Sequence, residues 1–113
     1  MNKFRTHKCN ELRKEKVGDE VILSGWINKK RDHGNLLFID LRDHYGITQC
    51  VIDKENKFFK ELEKLQLETV IKVNGKVIER TEETINKDLL TGEIEVAIEK
   101  FEILEYLMVI LSE

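Results

Sequence analysis

Five short runs rich in Val, Ile and Leu constrain the fold of this chain more than any other feature. They occupy residues 21–30, 36–42, 47–53, 69–79 and 94–104. Apolar and polar residues that alternate over such lengths are typical of half-buried β-strands. Between the third and fourth runs, Phe58, Leu62 and Leu65 are spaced i, i+4, i+7 within residues 55–66, which predicts an amphipathic helix.

The resulting order is strand–strand–strand–helix–strand–strand, which is the order of a five-stranded Greek-key barrel of the OB fold. A small α+β sandwich is the alternative. A parallel α/β sheet is disfavoured because the first three strands have links of hairpin length. A chain of 113 residues has the size of one domain. We therefore predict a mainly all-β domain with one helix between strands 3 and 4.

Charge is distributed unevenly along the chain. The net charge is −3, but residues 1–50 carry +3 and residues 51–113 carry −6. A protein that binds nucleic acid mainly by neutralising phosphates is expected to be strongly basic. If this chain binds nucleic acid, we expect it to combine a local basic stripe with contacts to the bases.

Several features favour a reduced, cytoplasmic setting with no membrane partner. The longest apolar stretch, residues 107–111, is far below the ~20 residues that a membrane span needs. The charges of residues 1–5 are not followed by an apolar run, which argues against a signal peptide. Cys9 and Cys50 lack the CxxC spacing and do not make a disulfide framework.

One face of the second and third predicted strands carries residues suited to nucleic acid. Period-2 alternation directs Leu37, Ile39 and Leu41 to the core and leaves Phe38 on a polar face. If the strands pair as a hairpin, Gln49 shares that outer face, near the basic residues 29–31. Exposed rings stack on unpaired bases and amides bond to base edges. Alternatively, the helix or a terminus covers Phe38, and residues 29–31 are a solvated strand end.

The residues suited to catalysis do not combine into a catalytic site. The three histidines lack metal-ligand spacing, and the two cysteines are expected to pack as small apolar groups. Two of the residues Asp40, Asp43 and Asp53 could act as a pair of catalytic carboxylates. However, no nucleophile, phosphate loop or HExxH motif accompanies them. The chain is therefore a poor candidate for a stand-alone enzyme.

Taken together, several short runs resemble the N-terminal anticodon-binding domain of bacterial-type aspartyl-tRNA synthetase, a class IIb enzyme. The similarity covers about residues 5–104 and leaves 105–113 as a tail or the start of a hinge to a missing catalytic domain. The runs are Arg5-Thr6-His7, Gly25-Trp26-Ile27, Lys30-Arg31-Asp32-His33-Gly34, Phe38-Ile39-Asp40-Leu41-Arg42-Asp43, Gly46-Ile47-Thr48-Gln49 and Thr91-Gly92-Glu93-Ile94-Glu95-Val96.

The resemblance implies a role for each matching position. Phe38 would stack on the middle anticodon base, a uracil, and Gln49 would bond to the edge of that base. Arg31 would contact the second and third bases, and Arg80 would lie close to the third. Glu95 would read the first base, because a carboxylate can accept from N1–H and N2–H of guanine together.

Further positions follow from the same resemblance. Asp32 would orient Arg31 or the turn, and Thr84 and Asn86 belong to a loop that closes over the anticodon. His33 is similar to the histidine of relaxed enzymes that charge both tRNA(Asp) and tRNA(Asn), whose anticodons differ in the third base, cytosine against uracil. The alternative is that His33 is only a surface turn residue.

The resemblance thus implies a fragment that binds tRNA and does not aminoacylate. It would need no cofactor, whereas the full-length cytoplasmic aspartate–tRNA ligase would use ATP and Mg²⁺ and form a homodimer. The isolated domain is expected to be monomeric. The alternatives are an OB-fold domain for protein interaction and a general binder of single-stranded nucleic acid.

Overall fold

The computed structural model describes residues 4–105, which form a closed five-stranded barrel. The predicted tail therefore lies outside the described residues except for Glu105, and a domain boundary at residue 104 stays a prediction. The strands are β1 Glu20–Asp32, β2 Leu36–Arg42, β3 Ile47–Asp53, β4 Val70–Glu79 and β5 Ile94–Glu105. A helix, α1 Phe59–Lys64, lies between β3 and β4, and two 3-10 turns span Lys14–Lys16 and Glu82–Thr84.

The barrel closes in the order β1-β2-β3-β5-β4. Neighbouring strands are antiparallel except β3 and β5, which pair in parallel at Cys50↔Val96 and Val51↔Ala97. This arrangement confirms the all-β prediction with one helix after the third strand, and it is not the alternative sandwich.

Alternation along the strands fills the barrel as predicted. Leu37, Ile39 and Leu41 of β2 are buried inside, and so is Cys50 of β3. Both cysteines are free and buried. Burial raises the pKa of each thiol above its ordinary value, so Cys9 and Cys50 pack as small apolar groups, as predicted.

The helix is shorter than residues 55–66, because side chains bond the backbone before it begins. The Asn56 side chain accepts from the Phe58 N–H at 2.8 Å, and Asp53 accepts from the Glu55 N–H at 2.9 Å. Such local bonds compete with helical ones. The apolar stripe packs on the core as predicted, but Phe59 is buried with Leu62 while Phe58 is only partly buried.

No helix within residues 4–105 is long and apolar enough to cross a membrane.

Candidate nucleic-acid interface

The Phe38 ring lies on the outer face of β2, as alternation predicts, and it is partly exposed. The edge of the His33 ring meets it, with ring centroids 5.1 Å apart and ring planes at 83°. Both rings line a hollow of about 260 Å³ together with Arg31, Gln49 and Thr84. We call this space the Phe38 hollow. It brings together five of the nine residues singled out from the sequence.

Beside Phe38, four polar side chains from four strands form one chain of hydrogen bonds. Arg31 donates to both oxygens of Asp40 at 2.9 and 3.0 Å. The same guanidinium donates to Oε1 of Gln49 at 2.8 Å. Nε2 of Gln49 donates to a carboxylate oxygen of Glu95 at 2.7 Å. The Gln49 amide is therefore held in one orientation, with its oxygen toward Arg31 and its nitrogen toward Glu95.

This chain of bonds explains why β3 departs from the predicted pattern. Gln49 is only 8% exposed and Val51 is equally buried, although both face outward. Arg31 of β1 and Glu95 of β5 bond to the Gln49 amide and cover it. The outer face at this point is thus a packed polar surface and not an open one.

Asp40 is the residue of this surface that the sequence did not indicate as part of a site. Its hydrogen bonds raise the pKa of the Arg31 guanidinium above the ordinary value, although burial acts in the opposite direction. Its side chain is 15% exposed, against 38% for Arg31. A signal existed in the spacing, because Asp40 lies two residues beyond Phe38 and alternation therefore directs both to one face.

Asp32 has a different role from Asp40. Its carboxylate accepts from the Gly34 N–H at 2.8 Å, and Gly34 has a φ of +78°, in the left-handed region that favours glycine. Of the two roles considered for Asp32, the geometry therefore favours orientation of the turn.

The basic residues 29–31 do not all lie on this face, because Lys29 and Arg31 pair with Asp40 and Phe38 whereas Lys30 pairs with the buried Ile39. The register of β1 against β2 shifts between Ile27 and Lys29. Lys30 lies on the opposite side, where its ammonium donates to the carbonyls of Glu63 and Leu65 at 2.6 Å each. Burial lowers the pKa of Lys30. Of residues 29–31, Arg31 lines the Phe38 hollow, and it is already paired with Asp40. The hollow itself therefore favours contacts to bases over contacts to many phosphates.

The segment 80–93 borders the Phe38 hollow and is held in place by hydrogen bonds from Arg80. The Arg80 side chain is buried, and it donates to the carbonyls of Ile94 at 2.9 Å and Thr84 at 3.0 Å. Its second terminal nitrogen is buried without a hydrogen-bond partner in the described part of the chain. Burial lowers the pKa of Arg80. Arg80 thus holds the segment that carries Thr84 and is not exposed toward the hollow.

Asn86 stabilises the conformation of the same segment. Its side chain accepts from the Asp88 N–H at 3.0 Å, and its own N–H donates to the Gly92 carbonyl at 3.1 Å. Asn86 is not among the residues that line the Phe38 hollow. Across residues 4–105 no cluster of His, Cys, Asp or Glu has the arrangement of a metal site.

A small closed barrel with an aromatic and polar outer face matches a known family over most of its length. Residues 21–104 match a family model for tRNA anticodon domains, described as an OB-fold nucleic acid binding domain. The chain belongs to this family, which confirms the resemblance that the sequence indicated.

Particular relatives are similar over nearly all of this chain. It is 71% identical over 104 residues to an aspartate–tRNA(Asp/Asn) ligase of Pelagibacter ubique, a match that covers 92% of this chain and 18% of that protein. The enzyme of the same name from Zymomonas mobilis is 55% identical over 96 residues, or 85% of this chain and 16% of the other. The chain thus spans less than a fifth of the length of these curated relatives.

A solved structure shows the same fold. Asparaginyl-tRNA synthetase from Pyrococcus horikoshii superposes with a TM-score of 0.74 at 29% sequence identity. The match covers 89% of this chain and 22% of that chain.

Proposed function

We propose that this chain is the anticodon-binding part of an aspartate–tRNA ligase, and that unpaired anticodon bases bind on the face around Phe38. The observation that carries the proposal is the bonded chain Asp40–Arg31–Gln49–Glu95, which lies directly beside an accessible aromatic ring. Relatives that are 55–71% identical are named as aspartate–tRNA(Asp/Asn) ligases, which supports the same assignment.

Each part of the face supplies one element of base recognition. A base stacked on an aromatic ring gains about 1–3 kcal/mol, so Phe38 would provide much of the affinity. The Gln49 amide offers both a donor and an acceptor to the edge of the middle base. The Glu95 carboxylate can accept two hydrogen bonds from guanine at the first position, which adenine cannot donate.

His33 supports a relaxed choice between tRNA(Asp) and tRNA(Asn). Its ring packs against Phe38 and lines the same hollow, so a base stacked on Phe38 would lie close to it. A neutral imidazole offers one donor and one acceptor, and such a group tolerates either cytosine or uracil at the third base.

Aminoacylation would belong to the remainder of a longer enzyme. We assign ATP, Mg²⁺ and the homodimer interface to that remainder, and we place the enzyme in the cytoplasm. This chain would supply binding of the anticodon and no catalytic group.

The test is a titration of the 113-residue protein with an anticodon stem-loop RNA carrying the aspartate anticodon. A second stem-loop has the middle base changed, and a third carries uracil at the third anticodon base. We expect at least tenfold weaker binding of the second RNA, equivalent to ~1.4 kcal/mol, and less than tenfold discrimination against the third. Phe38→Ala should weaken binding of the aspartate stem-loop by at least tenfold.

The matched control is Phe4→Ala, which removes another exposed ring on the N-terminal segment. Equal binding of the aspartate and middle-base RNAs, or unchanged affinity in Phe38→Ala, would show that the barrel does not read the anticodon. Discrimination above tenfold at the third base would contradict only the relaxed specificity.

A further inference from the structure

A second hollow lies farther along the same outer face, and we call it the Tyr45 hollow. It has a volume of about 220 Å³ and is lined by Asn10, by Arg42, Tyr45 and Ile47 of the β2–β3 hairpin, and by residues 88–90. At roughly 30 Å³ per water molecule, this space holds several waters, which is room for a planar ring system and not for a folded segment.

The Tyr45 hollow lies next to the Phe38 hollow along β3, since Ile47 lines the first and Gln49 the second. Arg42 pairs with Ile47 across β2 and β3, two residues along from the pair Asp40↔Gln49. Side chains two residues apart share one face, and two residues of strand span about 7 Å. A nucleic-acid strand bound at Gln49 therefore needs only a short step to reach Arg42 and Ile47.

The chemistry of the Tyr45 hollow suits an unpaired nucleotide. The Tyr45 ring is 50% exposed and Leu90 is 70% exposed. The Lys8 ammonium lies over the Tyr45 ring, 4.4 Å from its centre, and the Arg5 guanidinium lies over it at 5.5 Å. An aromatic ring combined with cations is the pattern by which proteins hold single strands.

The walls of the hollow are held together by hydrogen bonds that are wholly or partly buried. Asp43 accepts from the backbone N–H groups of Tyr45 and Gly46 at 2.8 and 3.0 Å, and from the Cys9 N–H at 2.9 Å. The Thr91 hydroxyl, next to residues 88–90, donates to the Ile47 carbonyl at 2.6 Å. The Tyr45 ring is thus carried on a hairpin whose position is set before any ligand arrives.

Two oxygen acceptors favour entry of a base over entry of a phosphate. Oδ1 of Asn10 is buried and accepts no hydrogen bond from the described residues. The Asp88 carboxylate also lines the hollow and would repel a phosphate. Donor groups on a base edge would satisfy both, while the phosphate of the same nucleotide would lie toward Arg5 and Lys8.

We propose that the Tyr45 hollow is a second RNA subsite, which takes one unpaired nucleotide flanking the three bases bound around Phe38. Its base takes the place of Lys8 or Arg5 over the Tyr45 ring, and the displaced cation turns to the phosphate. This inference rests on the proposed function, because it requires a strand already held at the Phe38 hollow.

The test compares two RNAs on the 113-residue protein and its variants. One RNA is the aspartate anticodon stem-loop, which includes the flanking nucleotides; the other is the trinucleotide GUC, which cannot reach Tyr45 while bound at Phe38. Tyr45→Ala should weaken binding of the stem-loop about tenfold and leave binding of the trinucleotide unchanged. Amide NMR shifts follow both titrations. Tyr45→Phe, which keeps the ring, should retain the affinity for the stem-loop.

Each other outcome has a separate meaning. Unchanged stem-loop affinity in Tyr45→Ala overturns the second subsite and leaves the proposed function intact. Equal losses for both RNAs, or a loss in Tyr45→Phe as large as in Tyr45→Ala, also overturn stacking on Tyr45. Absence of binding by the unaltered protein to either RNA overturns the proposed function and this inference with it.

Discussion

At the scale of single residues, Gln49 is where the candidate interface is held together. Its oxygen accepts from Arg31 and its nitrogen donates to Glu95, so both ends of the amide are occupied in the free protein. Oε1 keeps a second lone pair and Nε2 a second hydrogen, and these are the sites left for the middle base. Glu95 bonds to Gln49 and is also assigned to the first base, so recognition of the two bases would be coupled through this carboxylate.

Asp40 holds Arg31 on this surface by two hydrogen bonds, and Asp40→Asn tests that role. The substitution keeps the shape of the side chain but removes the charge that holds the guanidinium with two bonds. We expect discrimination against a changed middle base to fall about fivefold, or ~1 kcal/mol, because Gln49 loses its fixed orientation. Stem-loop titrations with matched and changed middle bases measure this preference.

The control for Asp40→Asn is Glu102→Gln, which alters an exposed carboxylate paired with Lys72 on the surface. It should leave the preference unchanged. If Asp40→Asn retains the full preference for the matched base, Asp40 is not a positioning residue.

Alternation predicted correctly that Phe38 and Gln49 share the outer face, because the period of a strand depends only on local geometry. The partners of Gln49 could not be predicted in this way. They come from β1 and β5. The register shift between Ile27 and Lys29 determines which basic side chain of β1 lies next to Gln49. That shift leaves Arg31 on the face and directs Lys30 to the end of α1.

At the scale of elements, the segment 80–93 owes its shape to close backbone packing at Gly92. This residue is buried, and a Cβ there would meet the Asn86 carbonyl oxygen well inside van der Waals contact. The segment carries Thr84 to the Phe38 hollow. A change at Gly92 therefore acts on the site without touching any residue that lines it.

Gly92→Ala should lower the free energy of unfolding by about 1–3 kcal/mol, the usual cost of overpacking. It should also weaken binding of the aspartate stem-loop at least threefold, because segment 80–93 is displaced from the Phe38 hollow. Urea unfolding and RNA titration measure the two effects. Glu93→Ala, at the exposed neighbouring position, is the control, and wild-type behaviour of Gly92→Ala would contradict this account.

Elements with strong alternation were predicted closely from the sequence. β2 and β3 have the expected limits, and the other strands differ by two residues or fewer at either end. The helix was wrong by several residues because Asp53 and Asn56 bond the backbone ahead of it. The path of residues 80–93 could not be predicted, since it depends on Arg80 bonding across the turn to Ile94.

At the scale of the whole molecule, the charge predicts how binding responds to salt. The net charge is −3, and the cations that lie near the two hollows are few. Each phosphate contact to a single strand contributes a slope of about −0.7 to log K against log salt. With four contacts or fewer, we expect a slope of about −3 or shallower for the anticodon stem-loop.

Dissociation constants measured across a series of NaCl concentrations give this slope directly. A slope steeper than about −5 would indicate binding dominated by phosphates, as in a general single-strand binder, and would contradict recognition through bases. Arg5→Gln together with Lys8→Gln should make the slope shallower by about 1.4 if both cations contact phosphates at the Tyr45 hollow.

The parallel pairing that closes the barrel has a consequence for the order of folding. It joins Cys50 to Val96, and the residues just before them, Gln49 and Glu95, are 46 positions apart in sequence. Pairing across so long a stretch of chain, as also between β1 and β4, carries a loop-closure entropy that local contacts do not. The recognition surface is complete only once β3 and β5 have paired, so RNA that binds there would select chains that have finished folding and would protect them from reopening.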